Sequence, residues 1–176
     1  MKKFIVILVV VALVMAFAAP AVVAAPPGPT LVDVAIAVNE DGPFAGQFDM
    51  LIAAILAADP AVLATLSGNG QFTVFAPTDD AFAELDIEDP EYFEEMDQGV
   101  LTQILLYHVA RGRRDSTGVL GSSRIRTMQR GFLFQSDGVL TDSLEREANI
   151  LVTDVPAANG IIHVIDAVLL PFDPYS

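Results

Sequence analysis

A chain of 176 residues that is 53% hydrophobic, with a mean hydropathy of +0.51, can bury one sizeable core, which excludes a disordered protein or a multidomain array. Twenty-three acidic residues against nine basic ones give a formal net charge of −14, making nucleic acid and anionic membranes poor partners. With no cysteine, disulfides and thiolate chemistry are excluded.

Met1-Lys2-Lys3 is a basic start, followed by an apolar run from Phe4 to Ala19 and small residues at Val22-Val23-Ala24. This pattern predicts a secretory signal over residues 1–24, and with it a secreted or extracytoplasmic protein, in the periplasm or at the cell surface. The stretch from Phe4 to Ala25 is also about long enough to span a bilayer, so an N-terminal membrane anchor is the alternative. Both lysines fall here, leaving seven basic residues, all arginine, in the remainder. A Pro-rich spacer, residues 25–29, leads into one domain expected over 30–173.

Thr30-Leu31-Val32-Asp33 has the form of a capping box, and Leu31, Val34, Ala35 and Val38 then recur at helical spacing up to Asn39–Gly42. A second helix should carry Phe48, Leu51, Ile52, Ile55 and Leu56 inward. A third starts at Asp59-Pro60, presents Val62, Leu63 and Leu66, and stops at Ser67-Gly68. Phe72 to Ala76 reads as a strand closed by Pro77, after which Thr78-Asp79-Asp80 offers a helix cap with two acids near a helix N-terminus. From Asp79 to Asp97 there are ten acidic residues and no basic one, the pattern of a solvated face on a helix broken at Pro90.

Leu101, Ile104, Leu105 and His108 lie at i, i+3, i+4 and i+7, so a helix running to Gly112 would turn His108 to the core and leave Tyr107 half exposed. Arg111, Arg113 and Arg114 would then sit at its C-terminal end, where the helix dipole favours them. Six of the seven arginines fall between Arg111 and Arg130. Short strands follow at Ile125–Met128, Phe132–Phe134, Val139–Leu140 and Ile150–Val155, separated by turn residues and by a polar stretch from Asp142 to Asn149. Helices first and strands later predict an α+β fold with a largely antiparallel sheet.

The run from Ile161 to Leu170 reads as a strand buried on both faces. His163 and Asp166 would lie on opposite faces, each needing hydrogen-bond partners, and this argues for structural roles rather than a catalytic pair. Asn159-Gly160 suits a left-handed turn ahead of it.

Three stretches resemble the fasciclin domain family: Thr73 to Phe82, Tyr107-His108, and Asn159 to Asp166 continuing through Val168-Leu169-Leu170-Pro171. The resemblance covers about Thr30 to Pro171. It implies a wedge of mostly antiparallel strands covered by N-terminal and central helices, a role in cell adhesion or extracellular-matrix contact, and no catalysis, cofactor or metal. It also marks Tyr107 and His108 as candidate interaction residues, with Thr78, Asn159, Gly160, His163 and Asp166 inside its structural motifs. The residues themselves contain no Gly-x-Ser-x-Gly elbow, no His-Glu-x-x-His and no calcium loop.

The expected function is therefore that of an exported, acidic, noncatalytic protein-binding domain for a cell-surface or matrix protein or polysaccharide. Arg111, Arg113 and Arg114 are further contact candidates, through an acidic polysaccharide or through weak self-association with the acidic segment. The alternative is a carrier of a small apolar ligand held between helices and sheet.

Overall fold

The computed structural model describes residues 26–174; the signal expected over 1–24 lies outside them. Among the described residues no helix is long and apolar enough to cross a membrane.

The starts of the first three helices are specified locally or by a borrowed carboxylate. Helix α1 (Leu31–Glu40) opens on the predicted capping box: Asp33 N–H donates to Thr30 Oγ1 at 3.3 Å while Thr30 N–H donates to Asp33 Oδ2 at 2.8 Å. Helix α3 (Pro60–Leu66) has proline first and Asp59 accepting from Ala61 N–H. Between them, α2 (Asp49–Ala57) begins after Phe48, which has no capping oxygen. Asp79 supplies one from a distance, accepting from Met50 N–H at 3.0 Å and Asp49 N–H at 3.3 Å. Burial holds the Asp79 carboxyl above its ordinary pKa. The Thr78 hydroxyl, expected to cap α4 (Asp79–Ala83), makes no cap bond. Helix α2 buries Met50, Leu51, Ala54 and Ile55, so Leu56, expected inward, is 67% exposed.

Strands β1 (Phe72–Pro77), β2 (Val109–Arg111), β3 (Arg124–Arg126), β4 (Phe132–Ser136), β5 (Val139–Thr141), β6 (Glu147–Ala157) and β7 (Gly160–Ile165) form one sheet in the order β2-β1-β7-β6-β5-β4-β3. The expected α+β, largely antiparallel layout forms, around a parallel pair of β1 with β7. An Ala110–Thr127 bridge and the bond from Met128 N–H to Val109 O tie β2 to the segment after β3, so the sheet curls back on itself.

Alternation along β1 and β7 then serves two cores. Ala76, Ile162 and Val164 pack with Leu31, Leu51, Leu66, Phe82 and Leu105 under the helices. Phe75 and Ile165 point into the curl with Tyr107, Ile125, Leu133 and Leu140. All six residues of β7 are buried.

Where β7 begins, Asn159 provides the partners that regular structure does not. It is fully buried: its Oδ1 accepts from Leu31 N–H at 2.8 Å, and its Nδ2 donates to Leu66 O at 2.6 Å and Gly68 O at 2.9 Å. Its own carbonyl accepts from Phe72 N–H. One residue thus fastens the start of α1 and the end of α3 through its side chain and the start of β1 through its carbonyl. The left-handed turn expected at Asn159-Gly160 does not form, since neither has positive φ. Gly160 is needed for close approach instead: a Cβ there would stand 2.3 Å from Phe72 O.

Three other boundaries differ. Helix α6 (Gln98–Tyr107) stops at Tyr107 because pairing with β1 draws Val109–Arg111 into β2, so Arg111, Arg113 and Arg114 do not sit at a helix terminus. A short α7 (Ser116–Leu120), capped by Asp115, has no counterpart in the sequence reading. Strand β7 ends at Ile165, not Leu170, and the Asp166 carboxylate accepts from Asn149 N–H and Nδ2 at 2.7 and 2.8 Å.

Asn159→Ala takes a partner from two buried backbone groups, Leu31 N–H and Leu66 O, and from the half-buried Gly68 O, and is expected to cost about 3 kcal/mol. The measurement is the urea midpoint at constant slope. Asn159→Asp keeps the acceptor but sets an oxygen against two carbonyls, and should cost at least as much.

Candidate functional site

The two residues at the end of α6 do not form a surface. Tyr107 is 0% exposed, not half exposed as expected, because α6 ends there and the ring turns into the curl of the sheet. Its hydroxyl donates to Phe132 O at 2.7 Å and meets Ser143 Oγ at 3.0 Å, and a Cβ on Gly131 would lie 2.9 Å from the ring. Burial pushes its phenol above the ordinary value.

His108 is buried as the helical spacing predicts. Its Nδ1–H donates to Ile104 O at 2.8 Å, and its Nε2 accepts from Leu169 N–H at 2.9 Å. Both ring nitrogens are committed in this tautomer, and burial lowers the pKa from 6.5 to about 4 even though the bond to Ile104 O favours the charged ring. This is a clamp on the chain after β7, not a base facing a substrate.

His163 and Asp166 likewise do not meet as a pair. Nε2–H of His163 donates to Arg114 O at 2.9 Å and its Nδ1 accepts from Asp154 N–H at 3.4 Å, with the ring stacked on Phe75.

The polar stretch 142–149 hides the residue that sequence reasoning missed. Asp142 is buried; its carboxylate accepts from Leu144, Arg146 and Leu170 N–H and forms a two-pronged pair with Arg146 at 2.8 and 3.0 Å. Arg146 also donates to Val168 O at 2.7 Å. The aspartate-arginine spacing of four was the only signal, and in a loop it is weak.

What remains outward is a cationic, aromatic sheet face. Ala110 opposite Thr127 sets Arg111 beside Arg126, which faces Phe132, while Arg124 faces Phe134. The Arg124 guanidinium stands 5.0 Å from the Phe132 ring centroid, and Phe134 is 52% exposed. Among the described residues Arg111, Arg124, Arg126 and Arg130 enter no ion pair. Of the three arginines singled out from sequence, Arg111 alone belongs to this face. Arg113 donates to Ala157 O, and Arg114 to Ser122 Oγ while its backbone N–H donates to Thr73 Oγ1.

The apolar space expected for a carried ligand lies under the helices, among Leu51, Phe82, Phe93, Leu105 and Val168. At about 30 Å³ it is the size of one water and far below the roughly 150 Å³ that admits benzene.

The fasciclin domain family model matches residues 46–171. Protein sll1483 of Synechocystis sp. is 39% identical over 128 residues, 70% of this chain and 67% of that protein. Protein sll1735 of the same organism is 36% identical over 140 residues, 78% of this chain and 96% of that protein. A solved FAS1 domain pair from the insect cell adhesion molecule fasciclin I shares the fold, with a TM-score of 0.57 and 24% identity over 70% of this chain and 45% of that one.

Folded, His108 takes a proton only near pH 4; unfolded, it does so at 6.5. Between these values the unfolded chain binds more protons, so stability is whole above pH 6.5 and falls as pH drops toward 4. Wild type should lose roughly 2 kcal/mol from this group between pH 7.5 and 5, read by urea unfolding, and His108→Gln should show a shallower pH slope. Tyr107→Phe should cost about 1–2 kcal/mol in the same assay and leave partner binding by the folded protein unchanged.

Proposed function

The chain belongs to the fasciclin domain family, and from that premise we propose that it is a noncatalytic adhesion or surface-interaction module working outside the cytoplasm. The observation that carries this reading is the outward face of exposed Arg111, Arg124, Arg126 and Phe134, with half-buried Phe132 among them, on paired strands. Exposed arginine and aromatic side chains on a rigid element are the residue types that dominate binding surfaces. The adhesion role of the insect fasciclin I pair, a neighbour in fold, agrees with it. The basic apolar start of the sequence supports export.

Beads carrying residues 25–176 should be retained on intact cells of the producing organism. Beads carrying the folded Arg124→Glu/Arg126→Glu variant should be retained severalfold less. Retention of wild-type beads no greater than that of bare beads would overturn the adhesive reading, and equal retention of the two proteins would remove this face from it.

A further inference from the structure

The same chain carries a second exposed patch of opposite character. Helix α5 (Tyr92–Glu95) lies beside α2, and an open cleft of about 280 Å³ between them is lined by Ala53, Leu56, Ala57, Pro90, Glu91 and Glu94. Leu56 is the most exposed large apolar side chain among the described residues, and it shares the cleft with Glu91 and Glu94, which belong to the stretch from Asp79 to Asp97 with ten acids and no base. It stands outward on a helix whose buried side is made by Met50, Leu51, Ala54 and Ile55.

Each patch supplies what the other lacks. One places exposed Phe134 and half-buried Phe132 among unpaired guanidinium groups; the other places exposed Leu56 among carboxylates. The cleft belongs to the helical cover, the arginine face to the outer side of β3 and β4, and no ion pair joins them within one molecule. Their complementarity is therefore available only between molecules.

We propose that the arginine-phenylalanine face of one copy docks on the Leu56 cleft of a second copy, so that the domain associates head to tail. This rests on the adhesive reading above and deepens it by naming the partner. Different patches meet, so the contact is heterologous and leaves a free patch at each end, which allows chains or rings rather than closed two-fold dimers. Both patches are small and solvated, so a single contact is weak and gains strength where many copies share a surface.

The test uses protein expressed from residue 25, which carries both cores, and charge reversals at exposed positions. By sedimentation velocity over a concentration series, wild type should associate reversibly. Arg124→Glu/Arg126→Glu and Glu91→Arg/Glu94→Arg should each weaken association about tenfold or more, with unchanged thermal unfolding. In an equimolar mixture of the two variants every cross-contact again pairs opposite charges, and association should return. Wild type that stays monomeric throughout, variants that associate as wild type does, or a mixture that stays monomeric would each overturn the proposal. Monomeric wild type that binds a soluble polyuronate through Arg124 and Arg126 would assign the face to an acidic polysaccharide instead. In that case bead retention on cells would persist, separating failure of the head-to-tail contact from failure of the adhesive reading.

Discussion

The fold depends on buried backbone groups at the two ends of β7 finding partners in side chains. The strand is buried throughout and serves a core on each face, so its ends fall inside the molecule, away from water. An unpaired amide or carbonyl there costs a large share of the stability of a domain this size. Asn159 solves this at the start of the strand by accepting from α1 and donating to the end of α3 and to Gly68. Beyond its end, His108 takes the amide of Leu169, Asp142 that of Leu170, and Arg146 the carbonyl of Val168. These contacts join residues far apart in sequence, so the two cores close together.

This arrangement explains which parts of the chain were legible in sequence. The capping box, the proline start and the apolar runs of α1, α3, α6 and β7 act over a few residues, and they give the existence and type of these elements, while the ends of α6 and β7 fall short of the apolar runs. The end of α6 was misplaced because β1 competes for Val109 to Arg111, a contact between strands more than thirty residues apart in the chain. Tyr107 was misjudged for the same reason: helical periodicity placed it to one side, but the helix ends beneath it and the curled sheet encloses it. Asp142 is only faintly legible because the amide it takes, that of Leu170, lies remote in sequence, and so does the Val168 carbonyl held by its partner Arg146.

The Tyr107-His108 pair is a marker of the family whose two side chains are both buried in this fold. Both residues are held inward by hydrogen bonds to backbone, one to each side of the end of α6. Substituting either disturbs the C-terminal run or the curl of the sheet, so a loss of binding in such a variant does not by itself locate an interface. Stability must be measured alongside binding before these positions are assigned to contact.

The arginines on β3 invite a structural explanation, since charged residues often guard an exposed sheet edge against unwanted pairing. That explanation does not apply to Arg124 and Arg126. The bridge from Ala110 to Thr127 ties that end of the sheet to β2, and the two arginines point outward from the face, across from Phe134 and Phe132. Nor do they neutralise the acids of their own chain, with which they form no ion pair. In a molecule with so large an acidic excess, four arginines at one end of the sheet form no ion pair among the described residues, and the ring contact of Arg124 with Phe132 is worth only about 0.5–1 kcal/mol at an exposed site. Their placement is better explained by what lies outside the molecule, and an acidic surface with an exposed leucine is one such counterpart that the chain itself provides.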